Sequence, residues 1–176
     1  MTVSLALWWA ALPLLLTVNL AQAHGDEHID PNMTVDNPIT SEETPYGRQG
    51  MTRDVARTIE IRLDDSPRFN PDLITVTTGE TVRLRLMNTG QQPHEFVLGT
   101  PDSLKAHAAM MMQIPDMAHA DPNLIRIETG KSSDLIWQFT RAGNFEYACL
   151  IPGHWQAGMQ GRVTVLPPAP NSLPPL

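Results

Sequence analysis

Cys149, His154 and Met159 stand five residues apart on one segment, Cys149-Leu150-Ile151-Pro152-Gly153-His154-Trp155-Gln156-Ala157-Gly158-Met159. Pro152 and Gly153 bend the backbone between the first two, so one tight loop offers a thiolate, an imidazole and a thioether. Soft sulfur beside a borderline nitrogen suits an ion that moves between Cu(II) and Cu(I). A second imidazole must come from elsewhere, and Pro93-His94 supplies it upstream. Two His and one Cys in a plane, with a long axial Met, are the donor set of a mononuclear type 1 copper site. The plainer alternative makes Cys149 a small buried hydrophobe and His154 an ordinary loop histidine. That alternative leaves four matching ligand types, in the matching order, without a reason.

Around these ligands the chain resembles the cupredoxins, the family of plastocyanin, azurin, auracyanin and rusticyanin. The resemblance spans residues 69–166. It is carried by Phe69-x-Pro71, Val76-x-x-Gly79, the run from Asn88 through His94, Gly143-x-Phe145-x-Tyr147-x-Cys149, and the loop Cys-x4-His-x4-Met. That loop length is closer to auracyanin and rusticyanin than to plastocyanin. The resemblance implies a Greek-key sandwich holding copper on His94, Cys149 and His154, with Met159 as the axial contact that tunes potential. By likeness to azurin, the backbone N–H groups of Glu95 and Ile151 would donate to the thiolate. Glu95 departs from the Asn common after the first histidine, and it places negative charge near the metal. The segment 114–123 also resembles, more loosely, periplasmic cupredoxins linked to bacterial copper tolerance.

The elements that must position these residues are legible as alternation. Ile59, Ile61 and Leu63 alternate with Thr58, Glu60 and Arg62, and Val82, Leu84 and Leu86 alternate with Arg83 and Arg85. Further strands are predicted at 73–77, from His94, and at 124–127, 133–139, 145–149 and 161–166. Seven to eight short strands between Gly and Pro turns predict an all-β sandwich, with the folded domain at 53–167. In the connection 99–123, Thr100 is placed to cap a helix and Pro101 to begin it. Leu104, His107, Ala108 and Met111 share a face at helical spacing, which predicts a short helical, Met-rich flap. Met110, Met111 and Met112 cannot all face one side. Met111 is expected to pack inward and the others to be accessible. Met110, Met112, Met117 and His119 then compete between two roles, packing the flap or forming an accessory Cu(I) site.

The termini read differently. Residues 5–16 form an apolar run and Ala21-Gln22-Ala23 is a small-x-small site, so 1–23 are expected to be a signal peptide cleaved after Ala23. A run under twenty residues disfavours a retained membrane span. Residues 24–52 are expected to be a flexible acidic leader. It begins at His24, whose free amine and imidazole, with His28, could chelate Cu(II); a plain disordered tail is the competing reading. Residues 168–176 are a Pro-rich tail.

Asp and Glu number 19 against 12 Lys and Arg, for a net charge of −7, which disfavours a nucleic-acid partner. The single cysteine excludes an internal disulfide, and a lone thiol in an exported protein must be protected or used. Six histidines without a His-x-His pair, in one cupredoxin-like unit, disfavour an oxidase or nitrite reductase. Two functions stay open: periplasmic copper handling and tolerance, or soluble electron carriage with a redox protein docking near His154.

Overall fold

A computed structural model of the 176-residue chain describes residues 42–114 and 121–168. The signal peptide 1–23, the leader through residue 41, Met117, His119 and the tail beyond Pro168 lie outside the described residues. Among the described residues, ten strands and one α-helix follow in chain order. They are β1 (Arg48–Gln49), β2 (Arg57–Asp64), β3 (Arg68–Asn70), β4 (Leu73–Thr77), β5 (Thr81–Asn88), β6 (His94–Gly99), α1 (Pro101–Gln113), β7 (Leu124–Ile127), β8 (Ser132–Gln138), β9 (Gly143–Ala148) and β10 (Gln160–Leu166).

Two five-stranded mixed sheets form, in the orders β1-β8-β5-β2-β3 and β4-β10-β9-β6-β7. β2 runs parallel to β5 and β4 parallel to β10; the other pairs are antiparallel. Alternation along each strand turns one set of side chains inward. Ile61, Leu63, Leu84, Leu86 and Trp137 of the first sheet meet Ile74, Val76, Phe96, Tyr147 and Val163 of the second in one buried core. The result is an all-β sandwich, as expected from the sequence. The strands number ten rather than seven or eight, because β1 and β3 have two and three residues and carry no readable period.

The folded region also begins ahead of Arg53. Tyr46, placed in the leader by its Pro- and Gly-rich surroundings, is 8% exposed and belongs to the core. Its ring stacks on Trp137 with centroids 5.8 Å apart, and its carbonyl accepts the Trp137 indole N–H at 2.9 Å. One aromatic anchor and two ladder residues, Arg48 opposite Gln138 and Gln49 opposite Trp137, bind this segment to β8.

Helix α1 starts where Thr100 and Pro101 predict. The Thr100 side chain accepts from the Ser103 N–H at 3.1 Å, and the Ser103 hydroxyl accepts from the Thr100 N–H at 2.9 Å. Leu104 and Met111 are the buried positions of the helix. Leu104 joins Val97, Ala148 and Leu150 in a second small cluster, against which Ala108, Leu124 and Trp155 pack. The flap therefore covers part of the outer face of the second sheet.

The strand order places the ligand residues. β6 begins at His94, β9 ends at Ala148, and β10 begins at Gln160, just past Met159. Val97 and Gln160 both pair with Ala148, so the start of β6, the end of β9 and the start of β10 share one end of the sheet.

Candidate metal centre

The loop between β9 and β10 is a run of turns closed at its base. The His154 N–H donates to the Ile151 carbonyl, the Ala157 N–H to Gly153 and the Gly158 N–H to Trp155, at 2.8 to 3.0 Å. At the base, the Cys149 N–H donates to the Met159 carbonyl at 3.1 Å, and the Met159 N–H to the His154 carbonyl at 3.0 Å. The two sulfur residues are thus tied through the backbone. Both are 0% exposed and lie in the main core.

His94, Cys149 and His154 come together as the sequence requires. One ligand atom from each lies within 4.8 Å of the others. Cys149 Sγ is 3.4 Å from His154 Nδ1, and the two imidazole centroids are 5.1 Å apart. His94 Nδ1 is buried without a hydrogen-bond partner. An unpaired nitrogen at that depth is costly in a protein interior unless it serves as a ligand. One thiolate and two imidazoles fit copper in both oxidation states. Met159 is buried at the foot of the same loop.

The thiol is surrounded as expected. The Glu95 N–H points at Cys149 Sγ at 3.4 Å, and the Ile151 N–H also donates to it. Burial nevertheless pushes the Cys149 thiol up to about 11, against the lowering effect of those two N–H groups. Burial also lowers the pKa of His154, with a further contribution from His94, which favours the neutral ring a metal needs. The negative charge expected from Glu95 is answered by a partner the sequence did not reveal. Glu95 stands opposite Arg126 in the β6–β7 ladder, and its Oε1 is 3.4 Å from the guanidinium.

Three further residues brace the ligands. Asn88, 3% exposed, donates to the carbonyls of Gln92 and Ile127 and accepts from the Gly90 N–H, which fixes the turn before His94. Arg68 donates to the Ala157 carbonyl at 3.1 Å from across the sandwich edge. Gly158 makes that approach possible: its φ is +96°, and a Cβ there would stand 2.5 Å from the Arg68 guanidinium. Asp65, in the turn between β2 and β3, lies 3.3 Å from His94 Nε2.

His154 is only partly buried. With His94, Asp65, Pro67, Gln92 and Ala157 it lines a cleft at this end of the molecule. Trp155 packs against the cluster that Leu104 of the flap joins, and its indole N–H donates to Gln160 Oε1 at 2.6 Å. On α1, Met111 is 4% exposed while Met110 and Met112 are 37% and 70% exposed, as the helical spacing predicts. Met110 and Met112 are about 200° apart around the helix axis. Among the described residues, no helix is long and apolar enough to cross a membrane.

Residues 58–166 match the family described as copper binding proteins, plastocyanin/azurin family. A copper-resistant cuproprotein CopI from Rubrivivax gelatinosus is 54% identical over 123 residues, covering 70% of this chain and 74% of that protein. A protein of the same name from Pseudomonas aeruginosa is 38% identical over 151 residues, covering 69% of this chain and 83% of its own. Among solved structures, auracyanin B superposes with a TM-score of 0.58 at 25% identity, covering 72% of this chain and all of the auracyanin.

Proposed function

Because the chain belongs to the plastocyanin/azurin family of copper-binding proteins, we propose that it is an exported copper-handling protein with a redox-competent type 1 site. His94, Cys149 and His154, with Met159 at the foot of the loop, would hold the copper. The observation that carries this reading is the convergence of three ligand atoms within 4.8 Å, in a chain 54% identical to a copper-resistant cuproprotein. Bound copper would supply one-electron exchange between Cu(II) and Cu(I). The protein's own contribution is to hold the donors ready. The Glu95 and Ile151 N–H groups stabilise the thiolate, and the Cys149–Met159 backbone hydrogen bond ties the two sulfur residues together at the base of the loop. No catalytic role is assigned.

Export rests on residues 1–23 as a signal peptide cleaved after Ala23, which would deliver the chain to the periplasm. His24 and His28 would then form a Cu(II) chelate at the new terminus, and the flap would add a Cu(I) site. The divergence of Met110 and Met112 on α1 means that one ion takes at most one of them from the helix, with Met117 or His119 as partners.

Electron carriage is the second reading, favoured by the partly exposed ring of His154 beside an open cleft, where a redox protein could dock. Copper tolerance separates the two. A strain lacking the protein should become copper-sensitive, wild-type chain should restore growth, and Cys149→Ser should not. Unchanged tolerance, with a loss of respiratory or photosynthetic turnover instead, would return the chain to electron carriage.

A further inference from the structure

Asp65 lies in the turn between β2 and β3, far in sequence from every ligand, yet its carboxylate faces the histidine loop. Its Oδ2 accepts the Gln91 N–H at 2.6 Å, and its Oδ1 lies 3.4 Å from the Gln92 nitrogen and 3.3 Å from His94 Nε2. Gly90 closes on the same group, and a Cβ at that position would run into Asp65 Oδ1. On the opposite edge of the imidazole, His94 Nδ1 is buried, has no hydrogen-bond partner, and belongs to the ring that joins Cys149 and His154.

An ionised carboxylate can only accept hydrogen bonds, so the nitrogen facing it must carry the proton. A neutral imidazole has one protonated nitrogen, and placing that proton on Nε2 leaves the lone pair on Nδ1. We propose that Asp65 is the positioning residue of His94. Its carboxylate accepts the Nε2–H, holds the ring in the tautomer and orientation that present Nδ1 to copper, and sets a negative charge one ring away from the metal. Such a charge favours the more positive ion, so the site is biased towards Cu(II). The same carboxylate grips the loop that carries His94, so ring and backbone are positioned together. This inference rests on His94 being a copper ligand.

Two variants separate positioning through the ring from general support of the loop. Asp65→Asn is nearly isosteric and keeps one acceptor oxygen but loses the charge; Asp65→Ala loses both. Loss of a partner of this kind costs about 10–100-fold in metal affinity. The loss should fall on Cu(II) more than on Cu(I) in both variants, and more heavily in Asp65→Ala. The reduction potential should rise accordingly, by about 59 mV for each tenfold difference between the two ions. Redox titration and the visible and electron paramagnetic spectra of the copper-loaded full-length mature chain read this directly, with thermal unfolding of the copper-free variants confirming the fold. Potentials equal to wild type in both folded variants would overturn the inference. So would affinities weakened equally for both ions, which would mark a loop-supporting residue only. Should Asp65→Ala fail to fold, Asp65→Asn alone decides. A wild-type protein without a thiolate-to-copper band would remove the copper reading itself, whereas a wild-type band with unmoved variants would remove this inference alone.

Discussion

The copper chemistry turns on the thiol of Cys149, and its burial sets a pH dependence. Held at about 11 by desolvation, the thiol keeps its proton at neutral pH until a metal displaces it. Loading the copper-free protein at pH 7 should release one proton per chain from Cys149, read by an indicator dye in weak buffer. Cys149→Ala should lose that proton. The same shift acts on folding. An ordinary thiol ionises near 9, so between about pH 9 and 11 the unfolded chain binds fewer protons than the folded one. Stability of the copper-free protein should therefore fall with rising pH across that window and be insensitive to this group below it. Melting curves of wild type and Cys149→Ala should diverge in slope there; parallel curves would contradict the burial argument. Glu95 and Arg126 allow a second test at this scale. Arg126→Ala leaves the Glu95 carboxylate without its guanidinium partner close to the thiolate, which favours Cu(II) and should lower the reduction potential. Glu95→Gln should raise it. A potential indifferent to both would show that neither charge of the pair is felt at the metal.

Among the elements, α1 carries none of the four proposed ligands, so its contribution can be tested without touching one. Thr100→Ala deletes half of the capping box and should cost about 1 kcal/mol. Leu104→Ala empties a position 1% exposed beneath Trp155 and should cost about 2–5 kcal/mol. Chemical denaturation measures both, and the absorption of the copper site should be unchanged in Thr100→Ala. The helix start was legible because a cap and an N1 proline are local signals, and β2, β4 and β5 were legible because one face of each is buried. The four proposed ligands could be read for a similar reason: three lie on one loop and the fourth opens a strand. What escaped the sequence depends on chain segments meeting from a distance. Tyr46 looked like part of a linker until Trp137 stacked on it. Nothing marks Asp65 in the sequence, and Arg126 reads only as a strand residue, until the fold brings His94 and Glu95 beside them. Arg68 carries no mark in the sequence of its contact with the Ala157 carbonyl.

For the whole molecule, the proposal is that one redox site and dispersed accessory donors serve a single task, taking copper up and holding it. The count of copper per chain tests the dispersed part. If His24 and His28 chelate Cu(II), removing residues 24–30 from processed protein should lower the Cu(II) stoichiometry by one and spare the visible band. If the flap binds Cu(I), replacing Met110, Met112, Met117 and His119 together should bring the reduced protein to one copper. Equal stoichiometry in either variant and wild type would return that segment to a packing or linking role. The central claim is more direct than these, namely that His94, Cys149, His154 and Met159 hold one copper through a thiolate. Titration of the mature protein with Cu(II), followed by visible absorption, tests it in one measurement. An intense thiolate-to-copper band should grow and saturate at one equivalent, vanish in Cys149→Ser, and shift without loss of copper in Met159→Gln. A wild-type protein that stays colourless at one equivalent of Cu(II) would contradict it.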